Sequence, residues 1–225
     1  MSETWAIVPV KAFATAKSRL SGVLTQRQRR DVAEHMATDV LLAATRCARI
    51  DKVMVVGQGP EQVTLAQRFD CLYEPDAPGL DISQNVTRVA GLLAGRGVAT
   101  AIVIPTDLPA LSGNDLDCIL RGHRHGVSLY RARRDGGTNA LIATPPDCVN
   151  FSFGAGSAQR HEASARSRGH AVRILDDAAF QRDVDTPDDL RHFCASGATC
   201  ATLDYLRRSG IAALMLDRVR LAATS

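Results

Sequence analysis

Residues 100–109 read Thr-Ala-Ile-Val-Ile-Pro-Thr-Asp-Leu-Pro (TAIVIPTDLP), and the order of apolar, rigid and acidic positions in that stretch decides the fold. A nearly continuous apolar run of this length fits a strand covered on both faces, as in parallel sheets flanked by helices. The prolines end the run and stiffen the turn, so Asp107 is delivered at the strand's carboxyl end. In open α/β sheets that edge is where ligands bind.

The same grammar extends to either side. Trp5 to Val10 (WAIVPV) and Lys52 to Val56 (KVMVV) are further buried strands. Between them Thr25 and Gln28 form a capping box, and Val32, Met36, Val40 and Ala44 recur every four residues, which predicts a helix. Gly57-Gln58-Gly59-Pro60 is a turn signal before a helix over 61–69. Residues 75–83, rich in Pro, Gly and Asp, read as a loop before a helix over 84–93, and Ser112 with Asp115 caps a helix reaching about 121. The second half predicts strands at 127–130, 140–143 and 172–175 and a helix over 158–168. Thr186 as N-cap, Pro187 at the first position and Asp189 at the third open another helix. The expected architecture is a single-domain α/β fold over 1–195, an open, mostly parallel twisted sheet with helices on both faces, followed by a C-terminal helical appendix over 196–225.

Composition narrows the function classes. With 225 residues and 45% hydrophobic content the chain can bury a sizeable core. Its formal charge of +3, from 27 basic and 24 acidic residues, comes without blocks of like charge, so no nucleic-acid partner is expected. Six scattered cysteines with no C-x-x-C pair suggest neither a zinc site nor a disulfide framework and are read as reduced thiols. No apolar run nears the roughly 18 residues of a membrane span, and no charged-then-apolar leader opens the chain. A soluble, cytoplasmic protein with no membrane partner is expected; a homodimer stays open.

Four clusters carry candidate chemistry. The loop after the first strand holds Lys11, Lys17 and Arg19, whose cations suit a triphosphate, although the loop is not a Walker sequence and spacing alone fits solvated cations equally well. Asp107 sits where a Mg2+ ligand belongs, and Asp185 is the candidate second carboxylate. Asp183, Asp188 and Asp189 read as ordinary acids around a helix start. Asp135 to Asn139 and Phe153 to Ser157 are glycine turns, the second opening a helix whose N-terminus would attract an anion. No G-x-S-x-G elbow or H-E-x-x-H pattern occurs. His161 reads as a capping or packing residue and receives no catalytic role.

The combination VPVK…AKSRL (Val8 to Leu20), PTDLP (Pro105 to Pro109), GGTNAL (Gly136 to Leu141), FGAGS (Phe153 to Ser157) and DVDTPDDL (Asp183 to Leu190) closely resembles the 2-phospho-L-lactate guanylyltransferase (CofC) family. That family belongs to the wider MobA-like nucleotidyltransferases and makes a precursor of the deazaflavin coenzyme F420. The resemblance implies that Lys17 and Arg19, with Lys11 as a further cation, act on the triphosphate of GTP and that Asp107 and Asp185 bind Mg2+. It also implies that Asn85 lies near the nucleoside and that Thr138, Gly154 and Ser157 bind the phosphorylated acid. Two positions depart from the family pattern: Gln84 where leucine is common, and Asp135-Gly136-Gly137-Thr138 where Gly-Thr-Gly-Thr is frequent. The implied acceptors are 2-phospho-L-lactate, phosphoenolpyruvate and 3-phospho-D-glycerate. Each brings a phosphate already largely ionised at neutral pH, its second pKa being about 6, so no general base is needed. Two alternatives remain. Relatives acting on molybdopterin or sugar phosphates carry a glycine-rich first loop that Val10 to Leu20 lacks, and a nucleotide-binding module without catalysis would bind GTP without releasing pyrophosphate.

Overall fold

The structure, a computed structural model, describes residues 2–222. Seven strands form one sheet: β1 (Thr4–Pro9), β2 (Lys52–Gly57), β3 (Leu72–Pro75), β4 (Thr100–Val103), β5 (Gly126–Arg131), β6 (Thr138–Thr144) and β7 (Val172–Leu175). Their spatial order is β3-β2-β1-β4-β6-β5-β7. Every pairing is parallel except those of β6, which runs antiparallel to both β4 and β5. The first residues of β6 therefore share an edge with the last residues of β1, β4 and β5.

Alternation along β1 shows why the strand is apolar throughout. Ala6 and Val8 point into one core with residues of α1 (Gln26–Arg46), α2 (Pro60–Arg68) and α4 (Gly113–Gly122). Trp5 and Ile7 point into a second core with α3 (Ile82–Gly95) and α5 (Ser157–Ser167). A strand sandwiched between two helical layers has no solvent face to make polar. Truncating the fully buried Ile7 to Ala should cost about 2–5 kcal/mol.

A third cluster lies to the side of the sheet. Leu20, Leu24, Val32 and Met36 meet Leu190 and Phe193 of α6 (Pro187–Ala195), Leu203 and Leu206 of α7 (Ala201–Arg208), and Ile211 and Met215 of α8 (Ile211–Ala222). The N-cap of α7, Cys200, supplies no side-chain cap. Asp39 of α1 does so across the interface: its buried carboxylate accepts from Ala201 N (2.8 Å), Thr202 N (2.9 Å) and Thr202 Oγ1 (2.6 Å). Positions 223–225 of the expected appendix lie outside the described residues.

The capping boxes expected at Thr25 and Ser112 are present, and the N-cap expected at Thr186 forms a third capping box with Asp189. Differences concentrate around residues 72–85. β3 occupies 72–75, where no strand was expected, and α3 starts at Ile82, two residues early, because Asp81 forms a capping box with Gln84. The polar loop over 11–22 contains two 3₁₀ turns, Phe13–Thr15 and Ser18–Leu20, that bury Phe13 and Leu20 and so fix the backbone between the loop's cations.

Candidate active site

A cavity of about 380 Å³ opens at the shared edge of β1, β4 and β6. Its charged wall comprises Lys11, Lys17, Arg19 and Arg134 against Asp107, Asp135, Asp183 and Asp185, four cations facing four carboxylates. A wall so balanced does not hold a polyanion through net charge. Its acidic half is in part already paired, through Lys17 and Arg134.

Asp107 and Asp185 are joined through the backbone: Val184 N donates to Asp107 O at 3.0 Å. The Asp107 Oδ1 atom is buried and has no hydrogen-bond partner. Burial pushes the Asp107 carboxyl above its ordinary range; Lys17 opposes the shift, and Asp185 and Asp183 add to it. Asp185 behaves in the opposite way. Against the desolvation it suffers, Lys17, Arg134 and Arg19 hold its carboxyl below the usual range. Lys17 Nζ donates to Asp185 Oδ1 (2.9 Å) and Val184 O (2.8 Å), whereas the mostly exposed Arg19 stands 3.7 Å from Asp185 Oδ2. Arg134 reaches Asp183 (3.0 Å), Asp185 (3.4 Å) and Asp189, closing a network of three cations and three acids.

The other wall is made of the two glycine turns, which are bonded together. Gly156 N donates to Asp135 O (2.9 Å) and Ala158 N to Gly136 O (3.1 Å), while Ser157 N closes a turn onto Gly154 O (3.0 Å). Gly136 and Gly156 both have φ of 67°, a left-handed conformation that a side chain would strain. These bonds correct the expectation for the start of α5. Its first amides are spent on the chain's own carbonyls, so an anion here must be held by side chains and by the exposed Gly154–Ala155 segment. Thr138 lines the cavity, and its Oγ1 accepts from the buried Ser157 hydroxyl at 2.9 Å.

Lys11, Lys17, Arg19, Asp107, Asp185, Thr138 and Gly154 all line this one cavity. Asn85 and Ser157 do not line it. Asn85 is 1% exposed, and its amide holds the 77–81 loop by accepting from Ala77 N and donating to Leu80 O and Asp81 O. Sequence reasoning missed Arg134, whose partners lie about fifty residues away, and the half-buried Asp183, which accepts from Arg134 and Asn139. It also set aside His161, which is fully buried against Thr138.

Comparison with known proteins bears directly on this arrangement. A model of the family described as guanylyl transferase CofC like matches residues 4–220. The chain belongs to this CofC-like family. It is 33% identical over 202 residues to the phosphoenolpyruvate guanylyltransferase of Sphaerobacter thermophilus, covering 89% of this chain and 97% of the relative. The enzyme of the same name from Conexibacter woesei is 37% identical over 192 residues, covering 83% and 85%. The 3-phospho-D-glycerate guanylyltransferase of Phenylobacterium zucineum is 32% identical, covering 82% and 86%. Among solved structures, a nucleotide-diphospho-sugar transferase from Desulfovibrio desulfuricans shares the fold with a TM-score of 0.77 at 19% identity, covering 94% of this chain and 97% of that one. The 4-diphosphocytidyl-2C-methyl-D-erythritol synthase of Anaerococcus prevotii follows with 0.58 at 10%, covering 92% and 96%. This CofC-like chain is therefore an α/β nucleotidyltransferase.

The residues present suit a divalent cation. Among the described residues no group of three or more His, Cys, Asp or Glu side chains forms a ready-made cage. Mg2+ needs no such cage, since it keeps waters and substrate phosphate oxygens around one or two carboxylates. The unpartnered, buried Asp107 Oδ1 is the observation that a hard cation explains best. Also among the described residues, no helix is long and apolar enough to cross a membrane.

Proposed function

We propose that this CofC-like chain transfers GMP from GTP to a small phosphorylated acid, with release of pyrophosphate, on the route to coenzyme F420. The acceptor is phosphoenolpyruvate, 3-phospho-D-glycerate or 2-phospho-L-lactate. The observation that carries the reading is the buried, unpartnered Asp107 oxygen, in one cavity with Asp185 and opposite a wall of anion-binding type. Relatives named for phosphoenolpyruvate and 3-phospho-D-glycerate supply the acceptor class. Six unpaired cysteines suit a reducing cytoplasm.

In this reading Asp107 and Asp185 hold Mg2+, which when bound neutralises and orients the triphosphate. Lys11 and Arg19 reach the outer phosphates from the cavity mouth. Lys17 steadies Asp185 and stands beside the charge that develops as pyrophosphate departs. An acceptor phosphate oxygen attacks the α-phosphorus in line, the bond from that phosphorus to the bridging oxygen breaks, and its electron pair leaves with pyrophosphate. No proton needs removing, so positioning and charge neutralisation account for the catalysis. His161 does not act as a base. Burial lowers its pKa to about 4, and both ring nitrogens are occupied.

The test is a matrix of four nucleoside triphosphates against the three phospho-acids with Mg2+, read by pyrophosphate release and product mass. One GTP-dependent product is expected. GTP binding without pyrophosphate release from any pair would refute catalysis, and a product formed only in a further arm containing a sugar phosphate would redirect the acceptor class.

A further inference from the structure

His161 lies on α5, fully buried behind the cavity wall and wedged among Phe151, Phe153 and Thr138. Its two ring nitrogens face different partners, and one of them fixes the tautomer. The backbone amide of Ser152 sits 2.8 Å from Nε2. An amide N–H only donates, so Nε2 is the accepting nitrogen and the neutral ring carries its proton on Nδ1. Nδ1 is 2.9 Å from Thr138 Oγ1, which must therefore accept. The Ser157 hydroxyl donates to the same Oγ1, also at 2.9 Å. A hydroxyl oxygen has two lone pairs and one proton. Both lone pairs of Thr138 are thus taken by protein donors, and among the described residues nothing accepts its proton. Thr138 lines the cavity, so that proton is left for a group that enters it.

We propose that His161 is a positioning residue of the acceptor site: with Ser157 it saturates Thr138 Oγ1, turning the Thr138 hydroxyl into a fixed donor that takes an acceptor atom, such as a phosphate or carboxylate oxygen of the phospho-acid, and turns away donor groups. The inference rests on the guanylyl-transfer reading for the name of the ligand, but the polarity of Thr138 follows from the hydrogen bonds alone. It also gives the buried Ser157 a role at a distance, since its oxygen never needs to touch the acid. The low basicity of the buried ring keeps the arrangement intact at neutral pH.

Two measurements test this separately from the function. Long-range proton–nitrogen NMR of the labelled, ligand-free protein should show His161 neutral and protonated on Nδ1; an Nε2-protonated ring overturns the proposal whatever the enzyme makes. Steady-state kinetics then compares His161→Leu, which removes the donor, with His161→Asn, whose amide can stand where Nδ1–H stood. His161→Leu should raise KM for phosphoenolpyruvate about tenfold or more while KM for GTP stays within about twofold, and His161→Asn should recover much of the loss. In a Thr138→Val background, His161→Leu should add little further effect on KM. Equal damage to both KM values, no recovery by asparagine, or additive effects in the double variant would assign His161 to packing only. If His161→Leu does not fold, Ser157→Ala read in the same Thr138→Val cycle carries the test: non-additivity supports the proposal and additivity overturns it.

Discussion

Lys17 Nζ sits 2.9 Å from Asp185 Oδ1, and the Lys17 backbone takes a left-handed φ of 54° to put it there. That conformation is uncommon for a residue with a side chain and costs on the order of 1 kcal/mol. The ion pair and the bond to Val184 O hold it in place. The lysine therefore guards an acidic site before any ligand arrives.

Removing that cation should be felt most when divalent metal is absent. Lys17→Met is expected to lower stability by about 1–3 kcal/mol in chelator, because Asp185 is left to the more distant Arg19 and Arg134. Added Mg2+ should restore part of the loss. Urea unfolding with and without Mg2+ measures both, and a loss that metal does not relieve would count against Asp185 as a ligand.

Asp107→Asn separates stability from chemistry. Neutralising a carboxylate with one buried, unpartnered oxygen should leave the melting temperature unchanged or raised, while turnover falls about a hundredfold or more. Mg2+ should raise the melting temperature of the unmodified chain more than that of the variant. Near-normal pyrophosphate release from the variant would refute the metal assignment.

Acid should destabilise the chain through two buried histidines. Burial holds both His123 and His161 neutral, with pKa values near 4, whereas an unfolded histidine takes up a proton at about 6.5. Between those values the unfolded chain binds protons that the folded chain refuses, so stability falls as pH is lowered. The loss is about 2 kcal/mol per histidine at pH 5 relative to pH 7. Unfolding midpoints at pH 7, 6 and 5 measure this, and equal stability at pH 7 and pH 5 would contradict the burial of both rings.

Asp39→Ala should uncouple α7 from α1 without touching the cavity. Three donors lose a buried acceptor, so a stability loss of about 2–4 kcal/mol is expected, with kcat unchanged at a temperature where the variant stays folded. Denaturant unfolding and pyrophosphate release read the two quantities independently.

What the sequence reveals here follows the range of each interaction. Strands β1, β2 and β4 are legible because burial on both faces leaves uninterrupted apolar runs, and α1, α4 and α6 because their capping boxes lie within four residues. β3 escapes because Leu72 to Pro75 is short and only partly buried. Asp81 escapes because its loop-like neighbours hide a capping box. Asp107 and Asp185 stand out at element ends, but Arg134, Asp39 and His161 take their roles from partners far along the chain. Asp39 within an apolar helix face was the one local sign of such a role, since a buried carboxylate in that position needs donors from elsewhere.

The one reversed strand, β6, gives the molecule a division of labour. The parallel half built on β1 and β4 carries the loops with Lys11, Lys17, Arg19 and Asp107. The hairpin of β5 and β6, laid against that half by a single antiparallel seam, carries Thr138 and the turn bonded to the start of α5. A hairpin can be lengthened or exchanged without rethreading its neighbours. In the proposed reading, acceptor preference can change through this hairpin as long as Arg134, in the loop between β5 and β6, keeps its hold on Asp183 and Asp185.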